Sequence, residues 1–143
     1  MTAQDPRPMV FQLLNSVAPG LKLVETVNFK VAKDKEKRFL ELVDGLIADS
    51  GKSVAIVAFN LHKCLPAGEH STEYLLYEVW RDRDGLKKQW ESDFLKVFQG
   101  KLMSENLLVA PPEPKFFLHE VPAKLQKISG MRGGNNETTN RSV

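Results

Sequence analysis

The sequence predicts an α+β protein with the ferredoxin-like element order βαββαβ, in which helices cover one face of a single sheet. Three observations predict this class. Residues 21–61 read as a strand, a helix and a strand, and residues 73–121 repeat that order. The segment between them, 63–71, has the proline, glycine and polar content of a hairpin loop. Two strand–helix–strand passes joined by a hairpin give this arrangement.

Composition limits the class of protein before any motif is considered. The chain has 143 residues, 42% of them hydrophobic and 27% charged, which suits one globular domain. Its 20 basic and 18 acidic residues nearly balance, which argues against a nucleic-acid-binding surface. Cys64 is the single cysteine, so neither an intrachain disulfide nor a cysteine zinc site is expected. With no apolar run near the ~20 residues that span a bilayer, we expect a cytoplasmic protein and no membrane partner.

The first pass begins after a lead-in of residues 1–20, in which Pro8 can start a short helix that ends by Pro19-Gly20. Residues 21–31 alternate between apolar and polar side chains, as expected for a half-buried strand. Val24 and Glu25 are the exceptions to that alternation.

The clearest predicted helix covers residues 34–50, and Gly51 stands where a left-handed residue often ends a helix. Residues 53–61 are apolar and β-branched on both faces, which predicts a central strand. The apolar stripe of the helix consists of Phe39, Leu42, Val43, Leu46 and Ile47.

The second pass opens with a strand over residues 73–81. Asp82 or Asp84 can cap a short helix that runs through Trp90, and Ser92 can cap a second helix to about residue 106.

Prolines at 111, 112 and 114 exclude a helix or a central strand, and the last strand is predicted at residues 115–121. The domain is therefore expected to span 21–121, followed by a flexible tail at 122–143.

Aromatic residues concentrate in the stretch 74–98, which contains both tryptophans and both tyrosines of the chain. A small-molecule pocket, if the chain has one, is expected to be lined by this stretch. The other face of the strand at 73–81 is also apolar, because Leu75, Tyr77 and Val79 alternate with Leu76, Glu78 and Trp80. An apolar sheet face usually finds a partner, so we expect a homodimer that packs sheet against sheet.

Three segments in order resemble the antibiotic biosynthesis monooxygenase superfamily of dimeric α/β barrels. They are NFKVAKDKEKRFLEL, YEVWRDRDGL and SDFLKVF, within residues 27–117. The resemblance implies a dimeric barrel with one pocket per subunit between sheet and helices. Some members of the superfamily oxygenate polyketide-type phenols with dioxygen and neither metal nor flavin, some oxidise quinols and some degrade haem.

The residues that bind substrate in the polyketide branch transfer only in part. Trp80 matches the strand tryptophan, whereas Leu76 and Leu86 stand where an asparagine and a tyrosine are expected. His62 is the nearest match to a histidine at the end of the preceding strand. Quinol-oxidising relatives often have histidine where this chain has Phe94.

The haem-degrading branch matches less well. Its tryptophan corresponds to Trp90, but its axial histidine corresponds to Gly100. Its first-strand asparagine aligns with Val27, one residue from Asn28, and a slip of one residue turns a strand side chain to the other face.

Two residues remain as candidates for acid–base chemistry. His62 is either a surface histidine or a base, since its usual pKa suits proton transfer. Glu78 lies mid-strand on the face of Leu76 and Trp80, so its carboxyl must be paired, solvated in a cavity or neutral. A structural ion pair and a role in the pocket are both compatible with this position.

Two functions therefore follow from the sequence. The first is a monooxygenase that needs no cofactor and acts on a hydrophobic phenol, quinol or polyketide-type aromatic, with dioxygen as co-substrate. The second is a dimer of the same fold that binds an apolar ligand or a protein without catalysis; haem binding is a minor third. For the enzyme, the candidate catalytic residues are His62 and Glu78, and the candidate substrate-binding residues are Leu76, Trp80, Leu86, Trp90, Phe94 and Phe98.

Overall fold

Four antiparallel strands form one sheet in a computed structural model that describes residues 5–120. They are β1 (Leu23–Ala32), β2 (Ile56–Lys63), β3 (Ser71–Trp80) and β4 (Glu113–Leu118). The order across the sheet is β2-β3-β1-β4, with β1 and β3 in the centre. This is the ferredoxin-like α+β fold that the sequence predicts. The predicted tail at 122–143, and the end of the last strand at Val121, lie outside the described residues.

In the described part of the chain, four α-helices accompany the sheet: α1 (Arg7–Asn15), α2 (Glu36–Ser50), α3 (Arg83–Glu91) and α4 (Asp93–Ser104). A 3-10 turn at Lys33–Lys35 leads into α2. The helices bury their apolar sides against the strand positions that carry Phe29, Leu76 and Trp80. These positions define the inner face of the sheet, and the opposite side is called the outer face. Within residues 5–120, no helix has both the length and the apolar character needed to cross a bilayer.

The predicted cap Ser92 is confirmed, and of the two candidates Asp82 and Asp84 it is Asp82 that caps α3. The Asp82 side chain accepts a hydrogen bond from the backbone N–H of Gly85 at 2.9 Å, and the Ser92 hydroxyl accepts one from Leu95 at 3.3 Å. Each bond satisfies a backbone donor that the first turn of a helix leaves free. The chain therefore turns sharply between α3 and α4 and places both helices beside the sheet.

Two predictions about the first pass were wrong. The strand after α2 was predicted to be central but lies at the edge of the sheet, because among the described strands β2 pairs only with β3. The apolar run predicts more burial than the strand has. Val57 is 45% exposed, and Val54, which is 91% exposed, lies before the strand begins. Gly51 has φ −64° and is not left-handed; its N–H instead continues the helical pattern by donating to the Ile47 carbonyl.

The lead-in contributes to the same core as the rest of the chain. Val10 and Leu14 of α1 are buried in the main apolar cluster. The Arg83 guanidinium also donates to the backbone carbonyls of Asn15 and Val17, and Lys87 donates to the Asn15 side chain. These contacts fix α1 beside α3. The start of α1 then lies at the cavity described below.

Candidate functional site

A cavity of about 430 Å³ lies between the inner face of the sheet and α4. Its size is within the roughly 300–1,000 Å³ range of small-molecule sites. Its walls come from β1, β3, α2, α4, the end of α3, the start of β4 with the segment before it, and the start of α1. The principal apolar lining residues are Val27, Phe29, Leu46, Leu76, Trp90, Leu95, Phe98, Leu102, Met103 and Leu108.

Two glutamates line this apolar cavity. Glu25 of β1 and Glu78 of β3 are direct cross-strand partners on the inner face, and they are only 2% and 3% exposed. We call them the carboxyl pair. Like charges directly opposite each other in a sheet repel, and burial strengthens that repulsion. The two carboxyls therefore cannot both be ionised without a large cost.

A tryptophan holds each carboxyl in place. The Trp80 indole N–H donates to Glu78 Oε1 at 2.9 Å, and the Trp90 indole N–H donates to Glu25 Oε1 at 3.2 Å. Among residues 5–120, no lysine, arginine or histidine forms an ion pair with either glutamate. The structural ion pair that the sequence left open for Glu78 is thus absent from the described part of the chain.

The residues beside the carboxyl pair keep its surroundings apolar. Across the sheet, Phe59 of β2 is the partner of Glu78, and Phe116 of β4 is the partner of Glu25. The inner-face row therefore reads phenylalanine, glutamate, glutamate, phenylalanine. Each buried acid therefore has an aromatic neighbour on the strand beside it.

This environment shifts both acids toward their protonated forms. Burial raises the pKa of Glu78 to about 7, although its hydrogen bonds to Trp80 and Glu25 oppose that shift. Burial and the adjacent Glu78 charge raise the pKa of Glu25 well above its usual value. Both acids therefore keep a proton to higher pH than an ordinary glutamate does.

The rim of the cavity carries the nearby charges. Asp5 and Arg7 form an ion pair at 2.9 Å, and the Lys96 side chain lies beside them at the same rim. The interior thus presents one acid pair to a ligand, whereas oppositely charged groups border the entrance.

One further polar side chain reaches the cavity from α3. Gln89 is buried, and its amide nitrogen donates to the Ser50 hydroxyl at 2.8 Å. This bond fixes the amide between α2 and α3, so Gln89 is a preoriented polar contact on the wall. Its sequence neighbourhood gave no signal of this role.

The structure brings together only some of the residues predicted from the sequence. Four of them line the cavity, namely Leu76, Glu78, Trp90 and Phe98. Trp80 and Leu86 are fully buried beneath it, and Trp80 reaches the site only through its bond to Glu78. Phe94 packs partly buried against the core outside the lining.

His62 lies on the other side of the sheet. In β2 it pairs with Leu75 on the outer face, and its ring is 6.4 Å from that of Tyr77. Because side chains alternate along a strand, its position is opposite to that of Leu61, which pairs with Leu76 on the inner face. The imidazole is exposed and does not reach the carboxyl pair.

Glu25 is the residue that sequence reasoning missed. The alternation of residues 21–31 places it on the same face as Leu23, Val27 and Phe29, where a charged residue is out of pattern. That exception was the available signal. It gained meaning only when strand pairing set Glu25 opposite Glu78.

Gly100 also lines the cavity, at the position where the haem-degrading branch is expected to have its axial histidine. A glycine provides no ligand atom from a side chain, so an iron-binding imidazole is missing at that point of the wall.

Solved structures share this arrangement of elements. A candidate antibiotic biosynthesis monooxygenase from Nitrosomonas europaea superposes with a TM-score of 0.62 at 17% identity, covering 74% of this chain and 97% of that one. The chain has the fold of the antibiotic biosynthesis monooxygenases. A second candidate antibiotic biosynthesis monooxygenase, from Caulobacter crescentus, gives 0.63 at 14% identity, covering 71% of this chain and 92% of that one. At such identities the shared feature is the monooxygenase fold alone.

Sequence comparison adds a relative without a described activity. An uncharacterized protein of Synechocystis is 29% identical over 98 residues, which cover 66% of this chain. The chain matches only 61% of the length of that relative. No family model matches the sequence.

Proposed function

We propose that this protein is a monooxygenase-like enzyme that needs no cofactor and oxidises a hydrophobic phenol, quinol or polyketide-type aromatic with dioxygen. The observation that carries the proposal is the buried carboxyl pair that lines an apolar cavity. A phenol must lose its proton before its ring becomes electron-rich enough to react with dioxygen. An apolar cavity that holds a proton acceptor suits that step.

Glu78 is the proton acceptor in this proposal. It replaces His62, whose imidazole faces away from the cavity. A carboxylate with a pKa near 7 is a stronger base than an ordinary glutamate and is still ionised in part at neutral pH. The Trp80 N–H holds the accepting group in place.

The aromatic wall would orient a flat substrate against the acid pair. Trp90 and Phe98 line the cavity, and Phe29 lines it from β1. Ring contacts of this kind bind planar apolar ligands, while the fixed Gln89 amide can contact a polar substituent.

The test measures dioxygen consumption with a panel of dihydroxybenzenes, naphthols and anthrones against a blank without enzyme. Glu78→Gln keeps the side-chain shape but removes the base, so we expect turnover to fall by about 10²–10⁴-fold. His62→Ala serves as the matched control and should retain activity. Tight binding of panel members by the wild-type protein without dioxygen uptake would favour the non-catalytic ligand-binding protein instead.

We also propose that two copies associate through the outer face of the sheet. This face presents Leu75, Tyr77 and Phe117 at positions where a soluble monomer usually has polar side chains. The proposal includes the cytoplasmic location expected from the sequence. The mass in solution, from sedimentation equilibrium, tests the dimer.

A further inference from the structure

We propose that Glu25 is a second catalytic residue, the acid whose proton converts the departing oxygen atom into water. This inference rests on the proposed function and assigns a separate task to each member of the carboxyl pair. A base alone is not enough for the reaction, because one oxygen atom of dioxygen must leave as water. Breaking an O–O bond requires a proton for the leaving hydroxide.

The geometry provides both groups at one point. Glu25 and Glu78 face each other across β1 and β3, both line the cavity, and a separate indole N–H holds each carboxyl. Phe59 and Phe116 flank the pair on the neighbouring strands. A proton on one carboxyl is therefore available to the other carboxyl or to a ligand.

Protons and electrons balance over one cycle. Take a substrate whose reacting carbon carries two hydrogens in its keto form, such as an anthrone. Ionised Glu78 removes the first proton, and the resulting carbanion donates an electron pair to dioxygen to form a C–O bond. Protonated Glu78 then returns this proton to the peroxide anion, which gives a hydroperoxide.

The second half of the cycle needs Glu25. Glu78 removes the remaining hydrogen on the reacting carbon as a proton, and the electrons of that C–H bond form the C=O bond. The O–O bond breaks, and the departing hydroxide takes the proton of Glu25. A proton passing from Glu78 to Glu25 restores the starting state. The sum is substrate and dioxygen to ketone and water, with dioxygen as the oxidant.

The charges facing the pair are few. From the packed elements, the charged groups that line the cavity besides the pair are Asp5, Arg7 and Lys96 at the rim, within residues 5–120. Asp5 and Arg7 pair with each other. Glu25 is therefore the acid in the described interior that can supply the second proton.

The experiment uses 1,8-dihydroxy-9-anthrone as the probe and compares the wild-type protein with Glu25→Gln. Dioxygen uptake, ketone product and organic hydroperoxide are quantified together at pH 6–9. For the wild type we expect one ketone per dioxygen consumed. For Glu25→Gln we expect ketone formation to fall at least tenfold, hydroperoxide to account for most of the dioxygen consumed, and the alkaline limb of the pH–rate profile to disappear.

The controls separate chemistry from structure. Glu73→Gln makes the same change on the outer face of β3, where the Glu73 carboxyl contacts Asn28, and should behave as the wild type. Glu25→Asp keeps an acid, and we expect it to restore part of the ketone yield. Binding of the probe to Glu25→Gln with the absorption band of the deprotonated anthrone, a band that Glu78→Gln should lack, shows that the site is intact.

Two results would overturn the inference in distinguishable ways. If Glu25→Gln forms ketone without hydroperoxide and keeps the wild-type pH profile, Glu25 is not the acid, and the proposed function stands. If the wild-type protein consumes no dioxygen with the anthrone or with any member of the phenol panel, the proposed function fails, and the role of Glu25 fails with it.

Discussion

At the scale of single residues, the buried carboxyl pair should make stability depend on pH. The pKa of Glu78 rises to about 7 on folding, from an ordinary value of 4.5. The folded state therefore binds more protons than the unfolded state between these values, and its stability falls as pH rises through this window. A shift of this size corresponds to about 3 kcal/mol. The raised pKa of Glu25 extends the loss to higher pH.

Urea unfolding at pH 5, 6, 7 and 8 measures this dependence. The double variant Glu25→Gln/Glu78→Gln has no titrating pair, so we expect its free energy of unfolding to exceed that of the wild type by about 3 kcal/mol more at pH 8 than at pH 5. Glu73→Gln should follow the wild-type curve. Parallel curves for the wild type and the double variant would refute the buried titrating pair.

The indole of Trp80 is expected to matter more when Glu78 is ionised. Trp80→Phe removes the N–H donor but keeps an aromatic ring, so Glu78 Oε1 loses its 2.9 Å hydrogen bond. Loss of a buried donor costs roughly 1–3 kcal/mol, and more when the acceptor is charged. We expect the destabilisation to be larger at pH 8 than at pH 5, as measured by the same unfolding titration. An equal cost at both pH values would contradict this assignment.

The two glutamates show how far sequence reasoning extends at this scale. Glu78 was found because a charge in the middle of an aromatic strand needs an explanation. Glu25 was equally out of pattern, but its meaning depends on pairing with a residue 53 positions later, and the register of β1 on β3 is a tertiary fact. His62 had the right chemistry, yet its role depended on the face of a strand whose register the sequence did not define.

At the scale of elements, close contact between α3 and the chain before β2 requires a glycine at position 85. A Cβ atom on Gly85 would lie 2.3 Å from the Cβ of Ala55, closer than the two carbons can approach. We expect Gly85→Ala to destabilise the protein by about 1–3 kcal/mol through overpacking, as measured by chemical denaturation.

Gly45 in α2 is the matched control for this substitution. It is also helical, but a Cβ there would meet no atom within 4 Å. Gly45→Ala should therefore be neutral or stabilising by up to about 1 kcal/mol, because alanine favours the helix. Equal effects of the two substitutions would argue against the tight contact at Gly85.

The helix α1 should behave as part of the domain. Leu14 is fully buried, whereas its neighbour Leu13 is 44% exposed. We expect Leu14→Ala to cost about 2–5 kcal/mol and Leu13→Ala less than about 0.5 kcal/mol in chemical denaturation. A small effect of Leu14→Ala would mean that α1 is not packed on the core in solution.

Elements were predicted well where local chemistry decides their ends. The caps at Asp82 and Ser92 are properties of a few adjacent residues: Ser92 was identified, and Asp82 was one of the two candidates for its helix. The position of β2 in the sheet was not, because an apolar run does not distinguish a central strand from an edge strand. In β4, the missing N–H of Pro114 fits an edge position, so the strand begins at Glu113, two residues before its predicted start.

At the scale of the whole molecule, the two sheet faces have different tasks. The inner face holds the core and the carboxyl pair, and its pattern of apolar residues was sufficient to predict the element order and the fold. The cavity itself was not predictable in shape, because α4, the segment before β4 and the start of α1 meet only in the folded chain. The outer face remains apolar in places that the fold does not cover.

Association through this outer face can be tested with one charge. Phe117 is 49% exposed on β4, and aspartate at that position would place an unpaired carboxylate between two packed sheets. We expect sedimentation equilibrium to give a dimer for the wild type and a monomer for Phe117→Asp, with unchanged far-UV circular dichroism. Val97 of α4 is also exposed, at 55%, and Val97→Asp should remain dimeric. A monomeric wild type would refute the proposed dimer, and a dimer that persists in Phe117→Asp would place the interface elsewhere.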